Sequence, residues 1–229
     1  MKTIYTLVLL FVTIFPFAQN VPIDFELGGN GLNWTWTTFE NDTNPALEIV
    51  ANPDPSGINT SATVAKFTAL QTGQPWAGCE SMHGSDIGSF AFNNNNCTVS
   101  IMVWKSVISD VGIKFVDATS AAQPEIKIAN TLINQWEKIT FDFSSRIGVF
   151  PITKDQIVIF PDFDLGGRSQ DNIIYFDNVY GASSNTGFGN DNRSELVVSP
   201  NPAKDLLNIS IKNFNGNITT EIFDLTGVL

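Results

Sequence analysis

The residues of this chain best suited to chemistry are aromatic and charged side chains. Strand alternation directs them to one side of a predicted sheet. In Thr98–Lys105 the odd positions form an aliphatic stripe, so the indole of Trp104 points to the opposite face. Glu80 and Lys114 must likewise face solvent in their own strands. A sugar ring can stack on an exposed indole while charged groups exchange hydrogen bonds with its hydroxyls. The residues predicted to bind such a ligand are Trp76, Glu80, Trp104, Lys114 and Asp162, with Arg168 in the loop that follows.

A structural interpretation of the same residues stays open. Trp76 and Trp104 would then cover the sandwich beneath a loop, and Glu80 and Lys114 would form an ordinary surface ion pair of little energetic value. We favour the binding platform, because a large apolar indole on the solvent-exposed face of a sheet is unfavourable unless a ligand stacks on it.

Catalytic chemistry has weaker support in the sequence. His83 is the single histidine, and Cys79 lies four residues before it, at the same strand parity, but no Ser-His-Asp or Cys-His pair is obvious. A glycosidase needs two carboxylates across a cleft, and the aspartates at 162, 164 and 171 offer the one cluster of that kind. The chain carries no phosphate loop or dinucleotide fingerprint. A glycan-degrading hydrolase or lyase therefore remains an alternative to a non-catalytic binding protein.

Short Val, Ile and Phe runs separated by Asn, Asp, Gly and Pro dominate the chain and predict β-strands. Their number and spacing predict an all-β fold, an antiparallel two-sheet jelly-roll β-sandwich, followed by the start of a small C-terminal β domain. The predicted strands are Ile23–Leu27, Trp34–Phe39, Ala46–Ala51, Ala62–Ala69, Trp76–Met82, Thr98–Lys105, Val111–Val116, Glu125–Ile128, Trp136–Phe143, Gln156–Phe160 and Ile173–Val179.

The composition limits the classes of partner. Charged residues make up 15% of the 229 residues, and the formal net charge is −11. Nucleic acids and anionic membrane surfaces select for basic patches, so neither is an expected partner, whereas neutral glycans and cations are compatible. Cys79 and Cys97 allow either a disulfide or two buried free thiols, and the sequence does not decide between them.

The two ends of the chain predict an exported protein. Residues 1–18 combine a basic start, a short apolar core and a small residue before Gln19, as a secretory signal peptide does, and no membrane insertion is expected. Residues 22–182 form the main domain, and the small and polar residues 183–194 form a linker. We therefore expect a secreted or cell-surface location.

The C-terminal segment 195–229 has a motif of its own. Residues 199–209 read Ser-Pro-Asn-Pro-Ala-Lys-Asp-Leu-Leu-Asn-Ile. This stretch resembles the start of the sorting domains that Bacteroidetes attach to cargo of their type IX secretion system. The resemblance implies that this machinery is a partner, and that the domain is truncated in this sequence.

Three stretches of the main domain carry a second resemblance. Residues 23–26 and 174–179 look like the paired first and last strands of galactose-binding-like jelly rolls, which include carbohydrate-binding modules of families 4 and 9. Residues 52–61 and 74–78 resemble modules of secreted flavobacterial proteins. The resemblance implies a secreted, non-catalytic module that docks on a polysaccharide, for which we expect a β-glucan-like chain. An adhesive surface protein is a further alternative.

The same resemblance implies a structural calcium ion that links the two ends of the domain. Carried onto this sequence, the ligands would be Glu26 and Asp177, with oxygens from the loop around Asn59. Calcium takes six to eight oxygen ligands from carboxylates and carbonyls, so these residue types suit it.

Overall fold

The computed structural model describes residues 22–182 and two further strands, 195–199 and 208–212. The chain divides into two compact units, Met1–Thr186 and Gly187–Leu229. In the second unit the two described strands pair as an antiparallel ribbon. The predicted signal peptide and linker lie outside the described residues, as does most of the predicted sorting domain. Within the described part of the chain, no helix is long and apolar enough to cross a membrane.

The first unit is a sandwich of two five-stranded antiparallel sheets, which confirms the predicted fold class. We call the sheet with the strand order β1-β4-β11-β7-β8 the front sheet, and the sheet with the order β2-β3-β12-β6-β9 the back sheet. The front strands are β1 (Thr37–Phe39), β4 (Gly78–Glu80), β7 (Asp110–Val116), β8 (Ile126–Ala129) and β11 (Gln156–Phe163). The back strands are β2 (Glu48–Ala51), β3 (Thr63–Ala69), β6 (Thr98–Lys105), β9 (Trp136–Asp142) and β12 (Asn172–Ala182).

Small elements complete the described structure. β5 (Phe90–Ala91) pairs with β10 (Thr153–Lys154), and a single 3₁₀ turn covers Ser144–Arg146. The strands of the C-terminal ribbon are β13 (Glu195–Ser199) and β14 (Asn208–Lys212).

The hydrophobic core lies between the two sheets, and alternation explains how each strand contributes to it. In β6 the odd-numbered residues Val99, Ile101 and Val103 are buried, as the aliphatic stripe predicts. β7 and β11 supply the same alternating pattern from the opposite sheet, for example through Ile113 and Ile159. Burial of two facing apolar stripes is the main force that holds the sheets together.

The prediction of a first strand over Ile23–Leu27 is wrong. Ile23 forms only isolated bridges, to Val179 and to Asn30, and its neighbour Phe25 has a φ of 54°. A left-handed residue cannot continue a strand ladder, so the segment turns while the Phe25 side chain remains fully buried. The pairing of the two ends of the domain survives as the bridge between Ile23 and Val179.

Cys79 and Cys97 are free thiols, both buried in the core. Burial raises the pKa of Cys79 well above its ordinary range, with a further contribution from the neighbouring Glu80 carboxylate. We therefore expect neither thiol to react with a water-soluble disulfide reagent while the protein is folded, and both to react in denaturant. A thiol titration with and without denaturant measures this, and rapid modification of the native protein would contradict it.

Candidate functional site

Two of the predicted binding residues meet on the outer face of the front sheet. Val158 of β11 stands opposite Glu80 of β4 on one side and Lys114 of β7 on the other. Thr37 of β1 extends this row beyond Glu80. Strand alternation thus places an acid and a base on either side of an apolar residue, as predicted for this pair. Trp76 precedes β4 in a turn, and 41% of its surface is exposed.

The next row of the same face is built around one aromatic ring. Phe160 stands opposite Gly112, which in turn stands opposite Lys127. On the other side, Gly78 stands opposite Phe39. A Cβ at Gly112 would lie 3.1 Å from the Phe160 ring, and one at Gly78 would lie 2.7 Å from the Phe39 ring. The two glycines therefore leave the space in which these rings lie low on the sheet.

These rings form an apolar floor that is separate from the sandwich core. Val116, Val158, Phe160 and Phe163 are buried together, and Phe39 packs against them. Phe160 contacts Phe39 and Phe163 edge-on, with centroid separations of 5.7 and 5.8 Å. Sequence reasoning assigned Phe39 and Phe160 only to strands. The alternation of Val158 and Phe160 with the inward Ile157 and Ile159 was the signal for a second apolar face.

Charged side chains border this floor. The Lys114 ammonium lies 5.5 Å from the centroid of Phe160, and the Lys127 ammonium lies 3.9 Å from that of Phe163. Burial raises the pKa of Glu80 above its ordinary value, although His83 and Lys114 lower it in part. The face thus combines an apolar floor, a partly desolvated acid and two ammonium groups, which can exchange hydrogen bonds with a bound polar molecule.

Trp104 does not belong to this face. Its parity was predicted correctly, but β6 belongs to the back sheet, so the indole lies on the opposite side of the sandwich. There it stands between Tyr175 and Trp136, and it contacts the Tyr175 ring edge-on at 5.5 Å. Alternation fixes the side of a strand to which a residue points, but it does not identify the sheet to which the strand belongs.

Asp162 and Arg168 are also absent from the outer face. The register of β11 shifts between Phe160 and Phe163, and this bulge turns Asp162 into the interior, where it is fully buried. The Arg168 Nε lies 2.8 Å from Asp162 Oδ2, and the Lys105 Nζ lies 3.5 Å from Oδ1. The prediction that Asp162 faces outward is wrong, and Arg168 is committed to the same buried cluster.

The residues of the enzymatic alternative have structural partners of their own. Asp162 is buried, Asp164 accepts a hydrogen bond from the backbone N–H of Gly166, and Asp171 accepts one from that of Gln71. His83 Nδ1 lies 2.7 Å from Asp155 Oδ1, whereas Cys79 points into the core. Each of these carboxylates thus has a local structural partner, and His83 is paired with Asp155 rather than with the buried Cys79.

The predicted calcium ligands approach one segment, 59–63, from two sides. One oxygen of the Glu26 carboxylate accepts hydrogen bonds from the backbone N–H groups of Ala62 and Thr63. Asn178, which follows Asp177, donates through its side chain both to Ser61 and to Asp177. The structure therefore brings the two acids to the same loop. Within the described residues, no group of three or more His, Cys, Asp or Glu side chains could hold a metal ion.

The surroundings of Asp177 fit a bound cation. Its carboxylate is fully buried, and burial is the main cause that raises its pKa to about 6. Hydrogen bonds lower this pKa in part and Asp24 raises it further, while no basic group contributes. Asp177 is thus a buried acid without a basic partner, and a cation would neutralise it.

Comparison with known proteins gives structural similarity only. No family model matches the chain, and no curated protein matches it. Similar solved structures include the CBM22-1 xylan-binding domain from Paenibacillus barcinonensis Xyn10C, with 13% identity over 71% of this chain and 93% of that chain, and a TM-score of 0.44. A variant of CBM29-2, a family 29 carbohydrate binding module, shows 10% identity over 71% and 91%, also at 0.44. TmCBM61, solved in complex with beta-1,4-galactotriose, shows 10% identity over 71% and 94%, at 0.41. At these identities and scores, the similarity assigns neither a ligand nor a reaction to this chain.

Proposed function

We propose that the chain is a non-catalytic carbohydrate-binding module that holds a neutral polysaccharide against the outer face of its front sheet. The observation that carries the proposal is the pair of adjacent rows on this face. One row places Glu80 and Lys114 on either side of Val158, and the other places Phe160 between two glycines.

The chemistry of the face supports this class of ligand. Apolar C–H groups of a pyranose ring suit the half-buried Phe39 ring at the edge of the buried floor, and its hydroxyls suit the carboxylate of Glu80 and the ammonium of Lys114. The exposed Trp76 indole, in the turn before β4, supplies a ring on which a sugar can stack. The formal net charge of −11 disfavours an anionic polysaccharide, so a neutral one, such as a β-glucan, is the first class to examine.

Affinity electrophoresis against a panel of soluble neutral polysaccharides tests the proposal. The wild-type protein should be retarded in the gel by at least one glycan. Trp76→Ala and Lys114→Ala should each weaken this binding by about tenfold or more, because they remove a stacking ring and a hydrogen-bond donor. Trp104→Ala is the matched control, since it deletes an indole from the opposite sheet and should leave the affinity unchanged.

Two results would contradict this assignment. Absence of retardation by every glycan of the panel would remove the proposed function. Loss of binding in Trp104→Ala with normal binding in Trp76→Ala would move the ligand to the back sheet, and so overturn the front-sheet site. Melting curves of each variant separate a loss of ligand contacts from a loss of folding.

We also propose that Ca²⁺ binds at Asp177, with Glu26 and oxygens of the loop around Asn59 as further ligands. Its chemistry would be structural, because the ion would neutralise a buried carboxylate and join the beginning and end of the domain. Glu26 has one carboxylate oxygen left for an ion, since the other accepts two backbone hydrogen bonds.

A further inference from the structure

A cavity of about 340 Å³ opens at one end of the front sheet, beyond the binding face. It lies where β7 ends and β11 begins, and the backbone N–H of Asp155 donates to the carbonyl of Val116 across this end. None of the face residues Trp76, Glu80 or Lys114 lines it. The cavity is therefore a separate concave site on the same unit.

One wall of the cavity is apolar and open to solvent. Phe150 and Ile152 both line it, with 69% and 57% of their surfaces exposed. Such large apolar side chains at the mouth of a cavity present a surface on which the C–H face of a small ring can lie.

Another part of the lining is a carboxylate held in a fixed position. Asp117 Oδ1 accepts hydrogen bonds from the backbone N–H groups of Thr119 and Ala121 and from the Thr119 hydroxyl. The hydrogen bond from that hydroxyl is the main cause that lowers the pKa of Asp117, so the group is ionised at neutral pH. An oriented carboxylate of this kind accepts hydrogen bonds from neighbouring hydroxyls of a ligand.

The remaining charged groups define the charge that a ligand can carry. Asp155 lines the cavity, and one of its oxygens lies 2.7 Å from the His83 ring. Lys154 also lines it, but its ammonium is buried and donates to the backbone carbonyls of Pro151 and Ile152. Two donors of the lysine are thus used within the protein, and the two aspartates against one lysine leave the lining with an excess of one negative charge.

We infer that this cavity binds a single neutral sugar residue, in which hydroxyls donate to Asp117 and Asp155 and the apolar ring face contacts Phe150 and Ile152. The volume suits one pyranose ring with its water and is too small for a long oligosaccharide. The two aspartates would repel the carboxylate of a uronic acid. The inference deepens the proposed function, because it adds a subsite for one sugar residue or for the end of a chain, and its test does not depend on the polysaccharide face.

Titration of the full chain with glucose, galactose, mannose and xylose, followed by amide NMR, tests the inference. At least one neutral sugar should shift the amides of Thr119 and Thr153 in a saturable way, whereas glucuronate should not. Ala118→Trp places a ring in the cavity and should weaken this binding by about tenfold or more. The matched control, Ala51→Trp at the end of β2 in the back sheet, should bind as wild type.

Ile152→Ser gives a second test that does not fill the cavity, and it should weaken binding through loss of apolar contact. The absence of saturable shifts with all four sugars would overturn the inference, as would shifts confined to Gly78 and Gly112 on the binding face. Equal binding by glucuronate and neutral sugars would overturn the assigned ligand class. Polysaccharide retardation without any monosaccharide binding would refute the cavity alone, and monosaccharide binding without retardation would refute the face alone.

Discussion

Replacement of Asp162 by alanine is expected to lower the free energy of unfolding by about 3 to 5 kcal/mol. Asp162 is the anion of a fully buried cluster that also holds the cations Lys105 and Arg168. Its second oxygen accepts a further hydrogen bond from Asn172 at 2.9 Å, and the Ser109 hydroxyl donates to the first. Without the carboxylate, two buried positive charges would face each other, and their donors would lose an acceptor.

The composition of the cluster makes the effects of its members unequal. Two cations share one carboxylate, so removal of Lys105 leaves a balanced pair of Asp162 and Arg168. We therefore expect Lys105→Met to cost clearly less than Asp162→Ala, although both remove one buried charged group. Asp164→Ala is a control from the loop that follows β11, because it deletes one hydrogen bond to a backbone N–H and should cost about 1 kcal/mol.

Chemical denaturation of the four proteins at neutral pH measures these differences. Asp162→Asn supplies a milder variant if Asp162→Ala does not fold, since it keeps an oxygen acceptor while it removes the negative charge. Stabilities of Asp162→Ala and Asp164→Ala that agree within error would show that the cluster does not hold the fold together in the way described.

The pH dependence of the free energy of unfolding is a second test of the buried cluster. Burial lowers the pKa of Lys105 from 10.5 to about 8, although the Asp162 carboxylate raises it in part. Between these two pH values the unfolded chain binds more protons than the folded one. The contribution of Lys105 to the free energy of unfolding therefore rises with pH. Below pH 8 both states hold the proton and the contribution is flat. Wild type should therefore gain stability over Lys105→Met between about pH 8 and 10.5.

Much of the fold was accessible from the sequence because alternation is a local property. β6 has the predicted bounds, and its odd-numbered residues face the core as expected. The two-residue strands β5 and β10 escaped prediction, since two residues cannot show a period of two. The turn at Phe25 was equally hidden, because a positive φ at a phenylalanine is fixed by burial of its ring and not by its own preference.

Only part of the candidate site could be predicted from the sequence, for two physical reasons. Glu80 and Lys114 were placed on one face because their strands are regular, but Trp104 was assigned to that face without knowledge of the strand order. Asp162 was misplaced because parity was counted through a bulge. Pro161 was a usable signal, since a proline within a central strand cannot donate to the ladder and occurs mainly at bulges. The glycines beside Phe160 had no sequence signal, because their role depends on a neighbouring strand.

Removal of calcium is expected to have the second large effect. If Ca²⁺ binds at Asp177, a hundredfold excess of the ion over its dissociation constant stabilises the fold by about 2.7 kcal/mol. A chelator should therefore lower the melting temperature of the wild-type protein by several degrees, and added Ca²⁺ should restore it. Asp177→Asn should abolish this response, whereas Asp171→Asn, which alters an exposed aspartate elsewhere in the domain, should keep it.

Asp177 should affect stability differently with and without bound Ca²⁺, and a nonspecific ion effect would not show this difference. Without an ion the buried charged carboxylate destabilises the fold, as its raised pKa of about 6 indicates. In chelator, the melting temperature of Asp177→Asn should therefore be close to that of wild type. With Ca²⁺ the same carboxylate becomes a ligand, and only wild type should gain stability. If the chelator leaves the melting temperature of wild type unchanged, the calcium site is contradicted. A calcium response that persists in Asp177→Asn would contradict it as well.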